Sequence, residues 1–64
     1  MTLEVRYVAM ARKHESAAIE LDRDAARLKG DPMEIHVLKA AKALRELALM
    51  YVAYAEEVRR EGKA

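Results

Sequence analysis

Cysteine, tryptophan, phenylalanine, asparagine and glutamine are all absent from these 64 residues, and serine and threonine occur once each. Without cysteine there is no disulfide and no thiolate metal site. Only two glycines and one proline are present, too few for a disordered or loop-rich chain, which points to long helices. The longest charge-free run, Leu47 to Ala55, falls far short of the roughly 20 residues that span a bilayer. A formal net charge of +1 supplies no electrostatic reason to expect nucleic acid or an acidic membrane as a partner. The opening Met1-Thr2-Leu3-Glu4 lacks the basic and apolar regions of a signal peptide, so the cytoplasm, or that of an expression host, is the expected compartment.

What is present is hydrophobic residues at 53%, charged residues at 36% and thirteen alanines. Met33, Val37, Ala40, Leu44, Leu47, Tyr51, Tyr54 and Val58 alternate in steps of four and three, a sustained heptad seam on one long helix. A second line, Ile35, Leu38, Lys42, Arg45, Leu49 and Val52, runs along a different side of it. From Leu47 to Ala55 the chain is apolar in every direction around the helix, and such a helix must be covered on several sides. Earlier in the chain, Leu3, Tyr7, Met10, His14, Ala17, Leu21 and Leu28 hold one heptad phase, with Ala25 close by. Val5, Val8 and Ile19 form a broken second line there.

Lys29-Gly30-Asp31-Pro32 is the one strong punctuation mark. Gly30 suits the left-handed position that ends a helix, Asp31 an N-cap, and Pro32 a first helical turn. Glu34 stands three residues after Asp31 and completes an acidic analogue of the capping box. Thr2 is the expected cap of the first helix, with Glu4 in its first turn. The reading is a single all-α domain over 1–64, an antiparallel two-helix hairpin. Its first helix covers about 3–29, its loop 30–31 and its second helix about 32–61. Folding there sets Leu21 against Ala40, Ala17 against Leu44 and Tyr7 against Tyr54, so the two main seams meet. A rival reading breaks the first helix at His14-Glu15-Ser16, against its unbroken heptad phase. Near the C-terminus Glu56 and Arg60 are spaced for an i,i+4 pair.

Chemical motifs are lacking. No serine or paired carboxylates stand in an arrangement for nucleophilic or acid–base work, so no catalysis, cofactor or small-molecule substrate is expected. A metal site needs three or four converging ligands, and His14 and His36 lie about 16 Å apart along the hairpin by helix rise. His14, on an apolar seam, is instead a candidate pH-sensitive core contact. Tyr7, Tyr51 and Tyr54 with Met10 read as core.

An isolated helical hairpin of this length buries too little apolar area to stand alone. The expected partner is therefore another copy of the chain, in an oligomeric helical bundle or a multi-interface assembly. Val5, Val8, Ile35, Leu38, Leu49 and Val52 are the candidate assembly residues, because the main seams leave them uncovered. The loop Leu28-Lys29-Gly30-Asp31-Pro32 and the stretch Leu38-Lys39-Ala40-Ala41-Lys42-Ala43-Leu44-Arg45-Glu46-Leu47-Ala48 resemble computationally designed (de novo) helical proteins. That resemblance implies a defined homo-oligomer such as a coiled-coil bundle, ring or closed protein cage. Two alternatives remain: a plain homodimeric four-helix bundle, and a small natural helical adaptor for a partner protein.

Overall fold

Thr2 opens the first helix from an extended conformation, its Oγ1 accepting the Val5 N–H at 3.2 Å. The computed structural model describes residues 2–62, so residues 1, 63 and 64 of the domain expected over 1–64 lie outside it. Two helices result: α1, Leu3–Arg27, and α2, Met33–Arg60. α1 runs unbroken through His14 and Ser16, as its heptad phase requires. α1 begins where the sequence suggests, the other three helix ends are one or two residues tighter, and the loop widens to 28–32.

The loop uses the residues expected of it, in a slightly displaced arrangement. Gly30 has φ +87°; a Cβ there would meet no neighbour, so the preference for glycine is one of backbone conformation alone. Asp31 Oδ1 accepts the Met33 N–H at 2.8 Å. Glu34 Oε1 accepts the Gly30 N–H at 3.2 Å. The reciprocal pair of caps therefore forms, but Glu34 reaches one residue further back than in a standard box, where its partner is the capping residue's own N–H. At the far end Gly62 has φ +72°, and Arg60 pairs with Glu57 at 3.5 Å instead of with Glu56.

Tyr7 meets Tyr54 as the paired seams require, but the line of closest contact between the helices runs beside the main seams. Among the described residues only Ala11, Ala18 and Ala25 of α1 and Ala41, Ala48 and Ala55 of α2 are buried, and no larger side chain is fully enclosed. Each set recurs every seventh position, so each lines one stripe of its helix, and the two stripes face one another. A single methyl at every contact lets the backbones approach closely. Larger residues cannot fit between them and are turned aside. Val37, Leu44, Tyr51 and Val58 are half-buried at the margin, whereas Met33, Leu47 and Tyr54 are exposed. The expected seam-against-seam core is thus replaced by alanine against alanine.

The consequence is a single layer. The Cα trace measures 49 × 16 × 9 Å, with a radius of gyration of 14.7 Å. A compact domain of this length has a radius of roughly 11 Å. A slab one helix thick has no interior beyond the line where its helices touch.

Candidate functional site: two apolar faces

On one broad side of the slab both main seams lie next to each other. Tyr7 of α1 packs on Tyr51 and Tyr54 of α2, with ring centroids 6.0 and 5.7 Å away. Tyr51 and Tyr54 meet edge-on at 6.2 Å, and His14 stacks on Tyr51 at 5.4 Å with 25° between the planes. These separations are ordinary for packed aromatic rings. Leu21, Leu28, Leu44 and Val58 continue this tyrosine face by heptad spacing and are half-buried. Leu3, Met33, Leu47 and Tyr54 are its exposed members.

The opposite side carries the candidate assembly residues. Leu49 and Val52 line a shallow groove of about 210 Å³ together with Glu15, Arg45 and Ala48. The groove exists because Ala48 is small and sits at the helix–helix contact. Val5 and Val8 line a second groove, of about 310 Å³, with Glu4, Ala9 and Arg12. Ile35 and Leu38 stand two heptads before Leu49 and Val52 and so share their side of α2. Of these six, Leu49 is the most exposed at 70% and Ile35 follows at 60%. The structure brings them to one face, with Leu49 and Val52 in one groove and Val5 and Val8 in another. Ile19, 45% exposed, extends the same side of α1. It is not among the candidate assembly residues, although its spacing of two heptads from Val5 places it with them.

This face also carries charges, and two ion pairs cross the hairpin on it. Arg45 donates from both terminal nitrogens to the Asp22 carboxylate, Nη1 to Oδ1 at 3.4 Å and Nη2 to Oδ2. Arg59 Nε donates to Glu4 Oε2 at 3.1 Å. The hydrogen bond from Arg45 holds the Asp22 carboxyl below its ordinary value, against a smaller opposing effect of partial desolvation. A lowered carboxyl stabilises the fold above the unfolded value of about 3.9 and loses that contribution as pH falls through its folded value. Both side chains are well exposed, so the contribution is small. The pair bridges the two helices.

His14 is half-buried on the tyrosine face and His36 is exposed near the loop. Among the described residues no three His, Cys, Asp or Glu side chains gather where a metal ion could be held. No helix among them is long and apolar enough to cross a membrane. No family model, curated protein or solved structure matches this chain.

Proposed function

We propose that this chain is a structural protein whose role is to assemble with copies of itself, through both broad faces, into a symmetric homo-oligomer, ring or cage. One observation carries the reading: among the described residues a single-layer hairpin buries six alanines and nothing larger, while large apolar side chains stand exposed on both sides. Burying a Leu, Val or Met side chain contributes about 1.5–3 kcal/mol, and the hairpin by itself leaves most of that unrealised. A second copy is the natural occupant. It brings the same uncovered faces, and a net charge of +1 sets up little repulsion between copies. On the Leu49 face four of the charged side chains are matched within each chain, as the Asp22–Arg45 and Glu4–Arg59 pairs. The designed-protein style of the loop and of α2 points the same way.

A plain homodimeric four-helix bundle is the second reading. The observation in its favour is that the tyrosine face carries less charge, with Asp24 the one charged residue at a seam position between Leu3 and Val58. The Leu49 face is interrupted by Arg12, Glu15, Lys42 and Arg45.

Either form of assembly couples folding to association. The thermal midpoint of the purified chain should therefore rise with protein concentration, because association stabilises only the folded form. Circular dichroism melts over a wide dilution series measure it. A midpoint independent of concentration would mean that the hairpin is stable without a partner.

A further inference from the structure

The tyrosine face holds one imidazole, that of His14, half-buried and stacked on Tyr51. On α1 the residues one turn from His14 are Met10, Ala11, Ala17 and Ala18. From α2 the imidazole meets Tyr51, and the only titratable groups on that side are the phenols of Tyr51 and Tyr54, which stay neutral in acid. The sequence neighbours of His14 turn elsewhere: Glu15 lines the groove on the Leu49 face, and Lys13 is exposed on the outer side of α1. Glu20, nearly two turns away, is the closest carboxylate at the α1 rim by helix position, and it is exposed. The ion pairs among the described residues join Asp24–Arg27, Asp22–Arg45, Glu4–Arg59 and Glu57–Arg60. None of them includes His14.

We infer that His14 makes the assembly acid-labile: a second copy seated on the tyrosine face covers a neutral imidazole, and its protonation puts an unpaired cation into that contact and releases the copy. The inference rests on the self-assembly reading and adds its regulation. A cation removed from water without a counter-charge is strongly disfavoured, whereas on the separated hairpin it stays half-solvated. Histidine is the residue whose charge changes between about pH 5 and pH 8, a range in which unperturbed carboxylates stay ionised. Release in that window is therefore separable from ordinary acid unfolding.

The test is light scattering on the size-excluded chain at about pH 8 and pH 5, for the parent, His14→Leu, His14→Met and His36→Gln. Circular dichroism checks that helicity is kept. The parent and His36→Gln should lose most of their assembled mass at the lower pH, while at least one apolar replacement of His14 keeps its mass at both. A parent that stays assembled at pH 5 overturns the role of His14 and leaves self-assembly intact. The role is equally overturned if both His14 variants release at the same pH as the parent. A parent already monomeric at pH 8 overturns the self-assembly reading, and this inference with it.

Discussion

Replacing Leu49 by Asp should leave the chain helical and strip it of its higher-order mass. Leu49 points about 160° away from Tyr51, since successive helical residues turn by about 100°, and it is 70% exposed on the hairpin. On a free hairpin the substitution is a surface change, within about 0.5 kcal/mol. Beneath a second copy the new carboxylate would stand beside Val52 and Ala48 in the groove. Its nearest cation, Arg45, is already engaged by Asp22. An unpaired charge there costs several kcal/mol per subunit. Leu47→Asp, two residues earlier, puts the same charge on the tyrosine face and should disrupt either form of assembly. Glu46→Asp, at an exposed position, is the control and should change nothing. A Leu49→Asp chain that assembles like the parent would leave the tyrosine face as the sole interface, and the four-helix bundle would take the place of the larger assembly.

A comparable loss, this time of the hairpin itself, is expected from Ala18→Leu. Ala18 is 0% exposed and lies midway along the line where α1 and α2 touch. An isobutyl group there must push the backbones apart. Overpacking of this kind typically costs about 1–3 kcal/mol, and the cost should lie at the upper end because the flanking alanines enforce the same close approach on both sides. Separation would also stretch the Asp22–Arg45 pair and the His14–Tyr51 stack, one turn to either side. Thermal melting against Ala53→Leu, an exposed alanine on α2, measures the effect. Ala53→Leu should stay within about 0.5 kcal/mol of the parent. An unchanged midpoint for Ala18→Leu would mean that the helices meet through larger side chains after all.

Much of this architecture is legible in the residues. Gly30, Asp31 and Pro32 mark the reversal, Thr2 the first cap, and the heptad phases the lengths of both helices. The exposure of Leu49 follows from its angle to Tyr51 alone. What the pattern of large apolar residues conceals is rotation. Two seams that face each other across a hairpin and two that lie side by side on one surface have the same period, and periodicity reports a stripe without saying what covers it. The deciding residues are the alanines. Alanine reads as helix filler because it combines high propensity with little hydrophobic area. Yet Ala11, Ala18 and Ala25 against Ala41, Ala48 and Ala55 keep a strict seven-residue spacing on both helices. In a close-packed pair the smallest residues mark the contact and the largest mark its margins. The cap at Glu34 was misplaced by one residue for a simpler reason: a flexible side chain can satisfy either of two adjacent N–H groups, and only the turn geometry chooses.

Self-assembly is tested most directly by the mass of the folded chain in solution. Light scattering coupled to size exclusion at micromolar concentration and neutral pH gives it without a standard. The expected result is one discrete species containing more than two 7.3 kDa chains, with helical circular dichroism. A folded, monodisperse species of 7.3 kDa would contradict it, and would leave both apolar faces to a partner other than a second copy.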